Sequence, residues 1–199
     1  MTSEASHSHP VLREDGLVLR PSAEDDLDRL AHWFADPEVF RWWGGRPLSR
    51  DVVAAKYTGR RCPRVESYIV EVEAQPIGYI QYHVEGPGQA GLDMMLLPGF
   101  RDRGLGPRAA RVMVAYLRRA FGWADITVDP AQDNPRAIRA WEKAGFVIER
   151  EWPDHTDGPA FLMRLAPLAP LREASAKTWP AAPRGPAPPG AVRTRGRQL

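Results

Sequence analysis

Cysteine is nearly absent. Cys62 is alone among 199 residues, which excludes an intramolecular disulfide framework and gives no reason for a zinc site, so no metal is expected. No apolar run approaches the ~20 residues of a membrane span. The first residues, MTSEASHSHP, lack a positive start followed by an apolar stretch, so no export signal is expected and the cytoplasm is the expected location. A dominant charge of one sign is missing as well, since the net charge is only +2. What is present is a composition 43% hydrophobic and 26% charged, ordinary for a globular domain with a core of its own. A chain of this length suits one domain, with or without a tail.

The small net charge conceals a division. Residues 166–199 carry seven prolines and six Lys or Arg against one Glu, with few aliphatics. Such a stretch cannot bury enough apolar surface to offset its ordering entropy, and disorder is expected there. Residues 1–14 are expected to be a flexible N-terminus, leaving 15–165 as the folded domain. Without the basic tail the remainder of the chain carries a net charge of −3, which points toward a cationic small-molecule substrate rather than nucleic acid.

Residues 16–165 alternate between periods. Gly16–Arg20 reads as a strand. Ser22 is placed to cap a helix in which Leu27, Leu30, Ala31 and Phe34 repeat at i, i+3, i+4, i+7. A second short helix is expected over Ser49–Tyr57. Ser67–Val72 and Ile77–Val84 are strand-like around Glu73-Ala-Gln-Pro76, a hairpin signal, and Gly91–Leu97 is another strand ended by Pro98-Gly99. Pro107 is expected to open a helix with an apolar stripe of Ala109, Val112, Met113, Tyr116, Leu117 and Ala120. Ala124–Val128 reads as a strand, and Asn134-Pro135 and Ala144-Gly145 bracket a further helix. Phe146–Glu151 and Pro159–Leu165 close the domain as strands. The fold class is mixed α/β.

The most informative stretch is Arg101-Asp-Arg-Gly-Leu-Gly-Pro107, a loop between a strand and a helix. Unpaired N–H groups and the positive end of the helix dipole converge at such a junction, which suits an anion. Gly104 and Gly106 permit close backbone approach, while Arg101, Arg103 and Arg108 add positive charge. No Gly-Lys-Ser/Thr follows, so this is not a Walker loop, and the third glycine of a dinucleotide fingerprint is missing. Taken alone, the pattern reads equally as a turn.

Arg101-Asp-Arg-Gly104-Leu-Gly106 resembles the Gln/Arg-x-x-Gly-x-Gly/Ala loop of the GNAT superfamily of N-acetyltransferases. Asn134-Pro-Arg-Ala-Ile-Arg-Ala-Trp-Glu-Lys-Ala-Gly-Phe146 resembles that family's second signature, Asn-x-x-Ala-x-x-x-Tyr-x-x-x-Gly-Phe. The resemblance implies a mostly antiparallel central sheet flanked by helices, with acetyl-CoA as co-substrate. It implies a pyrophosphate on the glycine loop and a pantetheine arm paired with the Asp93–Leu97 strand. The implied cofactor-binding set is Met95, Leu96, Leu97, Arg101, Arg103, Gly104, Leu105, Gly106, Arg108, Asn134, Trp141 and Lys143. Trp141 stands where the family usually has a Tyr that can protonate the departing thiolate. An indole N–H donates a hydrogen bond but is not a usable acid near neutral pH.

Within the superfamily the likeness narrows to aminoglycoside 6'-N-acetyltransferases, through Trp42-Trp43-Gly44-Gly45, Pro76-Ile-Gly-Tyr-Ile-Gln81, Gly91-Leu-Asp93 and Asp157-Gly-Pro-Ala160. The implied acceptor site places Trp42 and Trp43 against the sugar and Asp93, Asp129 and Asp157 on its ammonium groups. Asp93, a carboxylate interrupting an apolar strand, is the implied general base for direct transfer in a ternary complex. Three alternatives stay open on the same scaffold: acylation of a siderophore lysine, acylation of a protein N-terminus, and non-catalytic binding of acyl-CoA or antibiotic.

Overall fold

Eight strands form one sheet in the order β1-β2-β3-β4-β5-β6-β8-β7 in a computed structural model that describes residues 9–167. The strands are β1 (Leu12–Glu14), β2 (Leu17–Pro21), β3 (Val65–Val72), β4 (Gln75–Gly86), β5 (Gln89–Leu96), β6 (Asp125–Val128), β7 (Phe146–Trp152) and β8 (Ala160–Leu165). The helices are α1 (Leu27–Ala35), α2 (Pro37–Phe40), α3 (Arg50–Tyr57), α4 (Leu105–Phe121) and α5 (Pro135–Ala144). Every neighbouring pair is antiparallel except β5 and β6. The mixed, mostly antiparallel sheet flanked by helices is as expected. The expected tail falls almost wholly outside the described residues.

Several local expectations need correction. Residues 12–14 are not a loose N-terminus: they pair with β2, and Leu12 is buried in the core. Ser22 does not cap a helix. Its N–H still bonds the Ser67 carbonyl across to β3 (2.8 Å), and its hydroxyl donates to the Tyr57 carbonyl (2.7 Å). The chain therefore makes a short 3-10 turn over Glu24–Asp26 before α1 begins. Helix α2 was not anticipated, although its signal is plain: Asp36 accepts the Glu38 N–H at 2.8 Å and Pro37 takes the first helical position. Helix α4 starts at Leu105, two residues before Pro107, with Gly104 in the left-handed region at φ 74°. The β3–β4 turn is tighter than expected, with Glu73 and Ala74 both left-handed.

The sheet buries both faces. One packs on α4 and α5 through Tyr68, Ile80, Tyr82, Leu92, Met113 and Leu117. The other packs on α1 and α3 through Leu30, Phe34, Val53, Ile69 and Tyr79. Each fully buried aliphatic or aromatic side chain contributes about 1.5–3 kcal/mol. The α4 stripe is rotated from expectation: Ala110 and Val114 are buried, while Tyr116 and Ala120 sit at its half-buried margin.

The β5–β6 junction positions the site. β5 pairs with β4 along its length, but with β6 only through Gln89, Ala90 and Gly91 opposite Asp125, Ile126 and Thr127. Beyond Gly91 the two strands part, and the Leu92–Leu96 edge of β5 faces open space.

Candidate active site

A cavity of about 1910 Å³ occupies the gap where β5 and β6 diverge. Period-2 alternation sets its floor. Tyr79, Gln81 and His83 lie along one face of β4, opposite Met95, Asp93 and Gly91 of β5. The line runs from the apolar cluster under α1 and α3 into a polar network. Gln81 is buried, and its oxygen accepts from the Tyr79 hydroxyl (2.8 Å) and from Arg61 (2.9 Å). With the oxygen occupied, its NH2 group is directed to Asp93, which accepts at 2.7 Å. Asp93 thus has the partner that a carboxylate in an apolar strand requires.

His83 is the other neighbour of Asp93. Its Nδ1 lies 3.5 Å from Asp93 Oδ2 and its Nε2 lies 3.3 Å from Glu85 Oε1, which places one imidazole between two carboxylates. Thr127 on β6 donates to the other oxygen of Glu85 at 3.2 Å. Burial opposes charge on the ring, but hydrogen bonds and Coulomb attraction from Asp93 and Glu85 outweigh it and push His83 up to about 10. Burial pushes the Asp93 carboxyl up. The His83 imidazolium and the Gln81 amide overcome that and hold it below the usual carboxylate range. His83 was missed at the sequence level, although polar residues at alternate positions of the strand Tyr79-x-Gln81-x-His83-x-Glu85 were a signal for it.

Two further acidic groups, Asp129 and Asp157, stand on the other side of the gap. Asp129 follows β6, and burial raises its carboxyl above the usual range, with the Asp93 charge adding to the effect. His155 lies with Nε2 3.0 Å from Asp129 Oδ2, and its Nδ1 accepts the Asp157 N–H at 3.3 Å. Because Nδ1 accepts, Nε2 carries the proton and donates to Asp129. One imidazole therefore fixes the Asp129 and Asp157 segments together. Asp157 itself is exposed on the cavity rim.

Trp42 and Trp43 follow α2 in the cavity wall, both half-buried. Trp43 packs edge-on against Tyr79 (6.0 Å) and donates its indole N–H to the Tyr57 hydroxyl (2.9 Å). The Arg41 guanidinium lies 4.6 Å over the Trp42 ring. The expected acceptor residues Trp42, Trp43, Asp93, Asp129 and Asp157 thus line one cavity.

The glycine loop lies at the opposite end. The first N–H groups of α4, those of Leu105 and Gly106, have no partner within the helix. The side chain of Leu105 packs into the core instead of the cavity. Gly106 has ordinary helical backbone, and its role is one of space: a Cβ there would lie 3.2 Å from Met94 Cε and 3.6 Å from Leu96 Cδ1. Of the three arginines expected to supply loose positive charge, Arg101 lines the cavity but is tied to residues of its wall, while Arg103 and Arg108 lie outside it. Arg101 donates to the Leu96 carbonyl (2.9 Å) and to the Glu38 carbonyl (2.8 Å). Arg108 donates to the Asp15 carbonyl (3.0 Å), and Arg103 lies over Phe100. Neither Arg103, Arg108 nor Leu97 lines the cavity, and the Leu97 N–H is taken by the Ile77 carbonyl (2.9 Å). Met95, Leu96, Gly104 and Lys143 do line it. The positive charge at this end comes from α5 instead, where Arg136 and Arg139 join Lys143 in the wall. Both arginines sit inside the quoted second signature but were passed over.

Asn134 and Trp141 border the same wall, with structural work to do. Asn134 caps α5 by accepting the Ala137 N–H at 3.1 Å. Trp141 is buried edge-on against Phe146, with ring centres 5.3 Å apart. Away from the cavity, the His9 ring lies between Cys62 Sγ (2.9 Å) and Glu66 (2.8 Å). One ligand atom from each of the three lies within 4.8 Å of the others.

An acetyltransferase (GNAT) domain family matches residues 16–147. The chain belongs to the GNAT acetyltransferases. The aminoglycoside N(6')-acetyltransferase type 1 of Klebsiella pneumoniae is 34% identical over 167 residues, covering 75% of this chain and 82% of that protein. A kanamycin resistance protein of Rhizobium radiobacter is 40% identical over 79 residues, covering 39% of this chain and 71% of the other. An aminoglycoside 6'-acetyltransferase solved with paromomycin and acetyl-CoA superposes with a TM-score of 0.69 at 32% identity, covering 75% and 93% of the two chains. This GNAT protein is an N-acetyltransferase, and among its described residues no helix is long and apolar enough to cross a membrane.

Proposed function

We propose that this enzyme transfers the acetyl group of acetyl-CoA to the 6'-amino group of an aminoglycoside, in the cytoplasm, by direct attack within a ternary complex. One observation carries the reading: three carboxylates from separate elements, Asp93, Asp129 and Asp157, share a cavity with Trp42 and Trp43, while Arg136, Arg139 and Lys143 line its far wall, where Arg136 pairs with Asp102. A polycationic sugar suits the first end and a pyrophosphate the second. The named activity of the Klebsiella relative supports the same acceptor.

The residues divide the work. The open end of α4, with Gly104 and Gly106, receives the pyrophosphate, and Arg136, Arg139 and Lys143 add charge beside it. The β5 edge from Leu92 to Met95, beside a Leu96 carbonyl that Arg101 occupies, offers backbone groups to the pantetheine arm and a donor to the thioester carbonyl. Asp93 is the carboxylate on that strand. It anchors the 6'-ammonium, and its depressed pKa makes it a firmer anchor than a base. Asp129 and Asp157 hold further ammonium groups, and Trp43 flanks the ring. Trp141 has no acidic proton to give, so water protonates the departing thiolate.

Thiol release from acetyl-CoA tests the reading. With the enzyme at one concentration, kanamycin, a lysine hydroxamate precursor and a peptide with a free N-terminus are compared as acceptors. Release is expected with kanamycin. Release only with one of the others, or with none, overturns the acceptor assignment.

A further inference from the structure

The site as built leaves one group without a task. His83 lines the cavity, its side chain is 37% exposed, and both ring nitrogens face carboxylates. A glycine gives it this position. His83 stands opposite Gly91 in the β4–β5 register, and a Cβ at Gly91 would fall 2.2 Å from His83 Nε2 and 2.9 Å from Glu85 Oε1. Only a bare backbone at that point lets the imidazole lie across β5 and reach both acids. Asp93 on β5, Glu85 on β4 and Asp129 beyond β6 are the charged groups that act on the ring. Arg61, a cation that acts on Asp93, is directed at Gln81.

Resting on the acceptor reading above, we propose that His83 is the proton acceptor of acetyl transfer, and that the cationic substrate expels the ring's own proton when it binds. In the free enzyme the imidazolium occupies the place of an ammonium between Asp93 and Glu85. A substrate ammonium on Asp93 sets a second positive charge beside the ring and competes for the carboxylate that stabilises it. The ring then becomes neutral. Glu85, itself held by Thr127, retains the Nε2–H, and the Nδ1 lone pair faces Asp93 and the bound amine. The arrangement has the order acid, imidazole, nucleophile that serves acyl transfer elsewhere, with the substrate amine as nucleophile.

The balance is simple. The ammonium gives one proton to Nδ1, and the freed amine forms a bond to the carbonyl carbon of the thioester. The C–S bond breaks with its electron pair on sulfur. The second proton leaves the nitrogen to water as the amide forms, and the thiolate takes one from water.

Calorimetry of kanamycin binding to the full chain at pH 7.5, in buffers of different ionisation enthalpy, counts the protons released. The wild type is expected to release about one proton more than His83→Gln. In His83→Gln, kcat/KM is expected to fall roughly 10²-fold and the acidic limb of the kcat profile to disappear, which a packing role alone would not produce. Ring NMR signals of His83 in the wild type provide a reading independent of any variant: they should move from the charged to the neutral form on adding kanamycin. Kanamycin binding with His83 still charged, or an unaltered pH profile in the variant, overturns this proposal alone. Failure of kanamycin to bind overturns the aminoglycoside reading and this proposal with it.

Discussion

The two ends of the cavity are made of different materials. The end proposed for the cofactor is largely backbone: a helix terminus, a left-handed Gly104, a Gly106 whose missing side chain leaves room beside Met94 and Leu96, and the edge of β5. The acceptor end is largely side chains held by other side chains. Gln81 aims at Asp93, His83 bridges Asp93 and Glu85, and His155 ties Asp129 to the Asp157 segment. A backbone site depends little on its flanking side chains, and Arg103 and Arg108 lie outside the cavity. A networked site does not, because each member fixes the next.

Breaking the network at its centre gives the largest expected effect. Asp93→Asn removes the anchoring charge and uncouples His83, so turnover with kanamycin should fall by roughly 10²-fold or more while acetyl-CoA affinity stays near wild type. Steady-state kinetics beside calorimetry separates the two, and near-native turnover would remove Asp93 from the site. The backbone end is tested by Gly106→Glu. The Met94 methyl must give by a few tenths of an ångström, and the new carboxylate then lies where the anion is proposed. Acetyl-CoA affinity should drop by about 10²-fold with kanamycin binding retained, and unchanged affinity would end the cofactor assignment.

A milder change is expected from His155→Ala, which frees the Asp157 segment from Asp129. KM for kanamycin should rise about tenfold with kcat nearly constant, the pattern of lost uniform binding. A fall in kcat instead would place these residues in the chemistry.

The His83 cluster also predicts a pH dependence of stability. The ring's pKa is raised, so its stabilising contribution is fully present below the ordinary histidine value and is lost as pH rises through about 10. Asp93 is depressed, so its share is present above the ordinary carboxylate value and fades as pH falls through its lowered one. The melting-temperature difference between wild type and His83→Gln should therefore be widest between those limits and close at both extremes. A gap constant with pH would mean that the ring stabilises by packing alone. The smallest effect belongs to Trp141→Tyr, which trims a buried ring against Phe146 and costs about 1 kcal/mol. Turnover should stay within about threefold. A tenfold rise would show that protonation of the thiolate limits the wild type.

How much was legible follows from the same contrast. Backbone sites leave glycine and proline in the sequence, so the 101–107 loop and the Asn134–Phe146 helix could be found by reading along the chain. Asp93 was conspicuous because a charge in an apolar strand demands a partner. The partner was not visible, because Gln81 and His83 reach it only through the β4–β5 register. Ser22 remaining in the sheet reflects a tertiary hydrogen bond that local propensity does not contain, while α4 begins before its proline because the first turn of a helix needs no N–H there. Strand β1 was lost for a similar reason: three residues are too few to show a period, and only pairing with β2 makes them a strand.

The short β5–β6 contact has a mechanical side. Three residue pairs, with side-chain bonds from Thr127 to Glu85 and from Gln89 to Asp125, join the β1–β5 half of the sheet to the β6-β8-β7 half, and the cavity begins where the pairs stop. A short join therefore lies beside the cavity. Asp93 stands on one bank with Asp129 and Asp157 on the other, so a substrate gripped by all three is a staple across the seam. Occupancy adds RT ln(1 + [L]/Kd) to the work of unfolding. Here that increment acts across the short β5–β6 join, so amide protons of Ile126, Thr127 and Val128 are where slower exchange on ligand binding would register first.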